Sequence, residues 1–443
     1  MSEGAIRTTA RPVAADGAVG FLRRQWPWLA TLAFAVVVPW FSYDWSTGRH
    51  SGFIVSMLSQ IGISIVFALS YNMLMGQAGL LSFGHAVFLG LGGYVTAHVL
   101  NAAKGGAVPL PLELTPLAGA LGGLGFAIVL GYFATKQRAT AFAMITLGIG
   151  ELMTTAALMF HHFFGGEGGV NSNRMIGHSL FGFKYGPSIQ VYYLILAWTV
   201  ISALLMLYLT RTPLGRMANA SRDNFERVQF VGYDPRMVRF LQFALSGFFA
   251  GVGGGLYAIT YEIVTFDALA APLSANALLM AYIGGTSAFG GPILGAILIT
   301  LLQSGVSLMS NSWLVYVGVL FITMVIFAPN GLMGLIAAHG PIVSAGRFGR
   351  LLVPYARVLV PGLIMVLGFV GLVELASFLT IGAAQGKTLV LFGKPIDEHA
   401  ALPWLSAGLC LIAGGFWFSL EARAFRKVWD AIMTELKPGR SVA

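Results

Sequence analysis

The chain has 443 residues, 57% of them hydrophobic and only 10% charged, and its mean hydropathy is +0.79. That composition excludes an ordinary soluble globule, and several runs of about 20 apolar residues identify an all-α, polytopic bundle of transmembrane helices. The short alternating segments of a β-barrel are missing, so the formal net charge of +9 reads as arginine and lysine held on one membrane face, not as a nucleic-acid footprint.

Taken in order, the chain begins with a polar, basic stretch, residues 1–25, carrying Arg7, Arg11, Arg23 and Arg24. The apolar run after it has no small-x-small cleavage site, so a retained first helix is expected and the tail is assigned to the cytoplasm. About twelve membrane segments follow: Pro27–Tyr43, Phe53–Met75, Gly84–Asn101, Pro116–Thr135, Ala139–Phe160, Ile189–Leu209, Phe240–Tyr261, Asn276–Ala288, Gly291–Gln303, Trp313–Phe327, Val358–Leu379 and Leu402–Leu420. Trp26, Trp28, Trp40 and Trp45 bracket the first as interfacial anchors. With the N-terminus inside, Lys136, Arg138 and the loop 210–240 fall on the cytoplasmic side, and the loop 161–188, with Glu167, falls outside. The implied domains are a tail to residue 25, a core over 26–338, a basic cytoplasmic linker over 339–357, an added helical pair over 358–420 and a cytoplasmic tail over 421–443.

Two places break the apolar pattern. GQAGLLSFGH, Gly76–His85, separates the second and third segments, and GGTSAFGGP, Gly284–Pro292, interrupts a 28-residue run that is a poor helix interior. Charge parity requires the second run to be two short helices meeting at a turn below the membrane surface. Irregular backbone at that depth is tolerated only against protein or a wet cavity, and broken segments in two halves of a chain point towards a transport site. Gly76, Gln77, Gly79, Ser82, His85, Gly284 and Gly285 are therefore candidate path residues, against a plain reading as two tight turns. Glycines at 247, 251 and 255 recur every fourth residue, as do 119 and 123, and these faces are expected to pack helix against helix.

The loop from Thr210 to Phe240 carries six arginines against Asp223, Glu226 and Asp234. Thr212-Pro213 and Asp234-Pro235 each read as an N-cap followed by proline at the first helical position. Between them Asp223 or Asn224 can cap a short helix ended by Gly232 in a left-handed turn. An ordinary loop that only sets orientation and a docking helix for a soluble motor both fit these residues.

Glu151, in TLGIGELM, is the one carboxyl central in a span; it reads either as a contact on the transport path or a tie between helices, or as a helix-end or bundle-interior glutamate satisfied by its neighbours, the structural role being preferred. Glu374 is expected to act locally within the C-terminal pair, and His85 to hold the turn. His161 and His162 are adjacent and make a poor metal pair. GAAQGKT, Gly382–Thr388, resembles a phosphate-binding loop, but Ile381 stands where its first glycine is required. No cofactor and no catalytic residue is expected in this chain. Cys410 is the sole cysteine, so no intrachain disulfide forms.

Five stretches together resemble the permeases of branched-chain amino acid ABC importers: Tyr71–Ala97, Arg138–Met153 with the GGEGGVN beyond it, Gly215–Ala258, Leu278–Ala296 and Phe327–Leu335. The TLGIGE and GG-x-GG features are closer to the M-type subunit. The resemblance implies that Arg222, Glu226 and Gly232, with Arg216, Asp223 and Arg227 around them, sit where the permease meets its ATP-binding cassette. It also implies a second, H-type permease, two cassette subunits that hydrolyse the ATP, and a periplasmic substrate-binding protein. Relatives that carry urea, short amides or aromatic compounds remain alternatives for the solute. An ion-coupled carrier, which would have to use Glu151, and a passive channel are the other classes.

Overall fold

The computed structural model of the chain describes residues 30–44, 49–104, 110–137, 139–175, 179–180, 182–308, 310–379, 389–391, 394–396 and 400–436. The basic tail 1–25, Arg138, three of the four tryptophan anchors and the GAAQGKT stretch lie outside those residues.

Helices α1 (Ala30–Phe41), α2 (Gly52–Asn72), α3 (Ala86–Lys104), α4 (Thr115–Ala134) and α5 (Ala139–Met159) come first. Next are the single turn α6 (His161–Phe164), then α7 (Ser188–Arg211), α8 (Pro213–Asp223), α9 (Phe225–Phe230) and α10 (Pro235–Tyr261). The chain closes with α11 (Ala271–Gly284), α12 (Gly291–Leu301), α13 (Trp313–Phe327), α14 (Gly331–Ser344), α15 (Gly349–Ser377) and α16 (Ala401–Glu435). Among the described residues eight helices are long and apolar enough to cross a membrane; α13 and α14, bent by 45° at their junction, reach that length only together, and α1, α11 and α12 are shorter apolar helices. The expected twelve apolar segments are thus all present, two of them as the predicted short pair around Gly284–Pro292. Strands are confined to two-stranded scraps, such as Val170–Asn171 against Ile263–Val264.

Helix α10 is the hub, most of its length buried inside the protein, and it packs on α4, α3 and α2. Glycine makes this possible. A Cβ on Gly251 would stand 2.3 Å from the carbonyl oxygen of Gly119, and one on Gly123 would stand 2.4 Å from that of Gly247. The two glycine faces read from the sequence are therefore packed against each other, backbone on backbone, which is the contact that small residues permit in lipid.

The segment expected as a linker over 339–357 is mostly helical, because α14 continues to Ser344 and α15 starts at Gly349. Helices α15 and α16 form an antiparallel hairpin, closely apposed at Gly368 and Gly414. Glu374 is not local to that hairpin as expected. It accepts a hydrogen bond from the Tyr316 hydroxyl of α13 at 2.5 Å, tying the added pair to the core.

Candidate functional site

The loop between α7 and α10 is built by its caps. Thr212 Oγ1 accepts from the Gly215 amide at 3.4 Å, with Pro213 at the first helical position, and starts α8. Asn224 is extended, and its Oδ1 accepts from the Arg227 amide at 3.0 Å to start α9. Gly232, at φ +90°, ends α9, with the Tyr233 amide donating to Val228 O at 3.2 Å. Asp234 then caps α10 through the Arg236 amide at 2.9 Å. The short helix expected between an Asp223 or Asn224 cap and Gly232 is α9, and it sets off from α8 at a bend. Arg222 and Asp223 close α8, whereas Glu226 and Arg227 belong to α9, because Asn224 leaves the helical region between them. Arg239 of α10 stands over the Phe225 ring at 5.1 Å and holds α9 to the bundle.

Arg222 reaches inward. Its Nη1 donates to the carbonyl oxygen of Gly76, and its stem covers Gly79, whose absent Cβ would lie 2.7 Å from Arg222 Cγ. Gly79 is also left-handed at φ +67°, so glycine is required there for shape and for space. Helix α2 passes into a π-turn at Met73–Gln77, and the chain stays irregular until Ala86. Such turns recur at functional sites.

Three elements brace that break. Gln242 of α10 donates to Gln77 Oε1 at 2.8 Å and to Met73 O at 3.0 Å. Thr146 of α5 receives the Phe83 amide at 3.2 Å, and Ser274 of α11 receives the Ala86 amide at 2.8 Å. His85 is wholly buried, 3.0 Å from Ser70 Oγ and stacked on Phe67. Among the described residues its Nδ1 and the buried Ser82 hydroxyl have no hydrogen-bond partner.

The second break touches the first. A Cβ on Gly76 would lie 3.0 Å from Thr286 O, within the turn that joins α11 to α12. Gly285, at φ +105°, meets a third break that sequence reasoning did not separate out, the Ala328–Asn330 corner before α14. A Cβ on Gly285 would stand 2.3 Å from Asn330 O, and Gly331 is left-handed at φ +68°. The signal was available in FAPNGL, where proline and Asn-Gly mark a turn.

The candidate path residues Gly76, Gln77, Gly79, Ser82, His85, Gly284 and Gly285 are thus gathered around touching helix breaks, and Arg222 joins them. Glu151 does not: it is exposed on the far face of α5. Arg216, Asp223, Glu226, Arg227 and Gly232 are exposed on the loop. Sequence reasoning weighted these charges and missed the apolar tip beside them. Phe230 is 89% exposed, and Val231, Tyr233 and Met237 are open around it. A patch of that kind on a loop fits a protein partner.

At the opposite end of α10 lies a polar knot that was also missed. Glu113, before α4, accepts from Ser179 Oγ at 2.9 Å, the Leu180 amide at 3.1 Å and the Tyr185 hydroxyl at 3.0 Å. Burial and the Glu113 bond push the Tyr185 phenol up to about 12. Arg174 donates to Thr260 O at 3.1 Å at the end of α10, and its amide donates to Glu262 at 2.9 Å. With the Val170–Asn171 strand pairing, these bonds fold the glycine-rich loop back onto the bundle.

A helical bundle with three touching breaks, gripped by an arginine from a surface loop, has the form of a membrane transport unit. The family model described as "Branched-chain amino acid transport system / permease component" matches residues 53–328, and the chain belongs to that family. The chain is 28% identical over 292 residues to the high-affinity branched-chain amino acid transport system permease protein LivM of Escherichia coli, covering 61% of this chain and 68% of that one. The LivM of Salmonella typhimurium is 28% identical over 300 residues, 63% of this chain and 69% of its own length. A probable branched-chain amino acid transport permease protein LivH of Methanocaldococcus jannaschii is 31% identical over 167 residues, 35% of this chain and 50% of that one. No solved structure matches the chain. The matched region ends at the corner before α14, so α14, α15 and α16 lie beyond it.

Proposed function

We propose that this chain is a transmembrane subunit of an ATP-driven importer for branched-chain amino acids or related small polar solutes. In this reading it pairs with an H-type permease, receives solute from a binding protein outside, and binds no cofactor itself. Two cassette subunits hydrolyse ATP and dock on the loop that carries α8 and α9, which faces the cytoplasm together with the N-terminus. The carrying observation is the bond from Arg222 to Gly76 O, since it joins the surface loop directly to the break where α2 unwinds. Phe230, Tyr233 and Glu226 are then the docking contacts, and Arg222 passes their displacement to the touching breaks around Gly76 and Gly284.

Uptake of radiolabelled leucine into vesicles holding the whole importer tests this. Uptake is expected to require ATP on the cassette side and the binding protein on the other. Uptake that persists without ATP would assign the chain to a carrier or channel instead.

A further inference from the structure

We infer that the open face of α5 is the surface on which a second, different permease chain packs, with Glu151 receiving a hydrogen-bond donor or cation from that chain. Ala141, Met144, Gly148, Glu151, Thr155 and Met159 are all exposed, and their spacing puts them on one side of α5 along its whole length. The opposite side, with Phe142, Ala143, Thr146 and Ala157 buried, holds α5 to the break at Phe83–Gly84. Glu151 lies about 18 Å along the helix from its start and about 12 Å from its end, well inside an apolar layer.

A carboxyl at that depth is not left facing lipid. Two other carboxyls in the described spans have partners in this chain, Glu113 in its knot and Glu374 on Tyr316. Among the described residues Glu151 has none. The open faces of α4, around Leu121 and Val129, and of α7, around Leu204, present apolar side chains suited to lipid. Gly148, one turn before Glu151, has open space where a Cβ would go, which lets a neighbouring helix approach closely.

Charge decides which neighbour. Two copies of this chain joined about a twofold axis along this face would set Glu151 against Glu151 in a low-dielectric layer. A different chain that brings a donor at that depth meets no such opposition. The inference rests on the importer reading only in requiring a second membrane chain.

The test uses the full chain expressed from its own locus, with the photoreactive residue benzoylphenylalanine placed at Met144 or Leu152, and at Leu204 as control. After irradiation, the expected adduct joins this chain to a second polytopic permease identified by mass, at least tenfold above the Leu204 control. With the probe at Leu152, Glu151→Gln should keep the adduct and Glu151→Leu should cut it at least fivefold at equal membrane level. Adducts to lipid alone, an adduct between two copies of this chain, or an adduct indifferent to Glu151→Leu would each overturn the assignment. ATP-driven uptake scored in the same membranes separates the two failures: a missing adduct with uptake intact sinks the α5 face alone, whereas uptake indifferent to ATP sinks the importer reading.

Discussion

Replacing Arg222 by alanine should uncouple ATP hydrolysis from uptake. The side chain makes two interactions, and they differ in worth. Its ion pair with Asp223, at 3.1 Å, is between adjacent exposed residues and contributes well under about 1 kcal/mol. Its bond to Gly76 O is a charged donor on a backbone carbonyl at the break, a class worth about 1.5–3 kcal/mol. Because the side chain is 41% exposed, the low end applies, about 1.5 kcal/mol, or roughly a tenfold shift between coupled and uncoupled arrangements. The assay is the ratio of leucine taken up to ATP hydrolysed in proteoliposomes with the partner subunits present. R222A should lower that ratio about tenfold while the variant reaches the membrane and still binds the cassette. R222K should recover little, since an ammonium on a flexible stem does not reproduce the guanidinium laid over Gly79. An unchanged uptake-to-hydrolysis ratio in R222A would refute the argument that this bond transmits the motion.

The other predictions separate docking, packing and the opposite end. F230A removes an 89% exposed ring, so the unfolding temperature in detergent should hold while affinity for purified cassette falls about thirtyfold, the equivalent of roughly 2 kcal/mol. G251A forces a methyl to within 2.3 Å of Gly119 O, and overpacking of this kind should cost about 1–3 kcal/mol, read as a lower unfolding temperature in detergent. E113A strands the Tyr185 hydroxyl and the Leu180 amide and should cost about 3 kcal/mol in the same assay, with ATP coupling in the surviving fraction unaltered. The Tyr185 phenol, raised to about 12 in the fold from an ordinary value of 10.0, should titrate closer to 10 in E113Q; in the unaltered protein its contribution to stability is complete below pH 10 and is lost as the pH rises towards 12, because the unfolded chain loses that proton first.

What was legible in the sequence was local. Thr212-Pro213, Asn224, Gly232 and Asp234-Pro235 each act within four residues, and all four perform the capping or turning that their chemistry dictates. The short pair around Gly284–Pro292 was legible for the same reason, since glycine and proline cannot extend a helix interior at low cost. The glycine faces were legible through their period of four, although which faces meet is a matter of tertiary packing. What stayed hidden was non-local. Glu113 binds residues 66 to 72 positions away, and no spacing rule links it to Ser179 or Tyr185. The resemblance set Arg222 at the cassette contact, but nothing local linked it to Gly76, 146 positions earlier, whose carbonyl it binds in the fold. The exposure of Phe230 had no local signal, because burial of one face of a six-residue helix depends on what lies beside it.

The bend at Asn224 divides the loop into two working parts, and this makes its stiffness testable. Helix α9 carries the exposed Phe230, and α8 carries Arg222 to the break, so a push on Phe230 reaches Gly76 only if the corner between them holds its angle. That angle is fixed by the Asn224 cap on Arg227, at 3.0 Å, and by Arg239 over Phe225. Asn224→Ala removes the cap at a cost of about 1 kcal/mol, which softens the corner by roughly a factor of five without touching either end. Cassette affinity should therefore stay within about twofold, while the uptake-to-hydrolysis ratio falls about fivefold, converting the cost of the lost cap directly. Were Asn224→Ala instead to weaken cassette binding with the ratio unchanged, the loop would act as a docking surface alone, and Arg222 would hold the break closed without passing force to it.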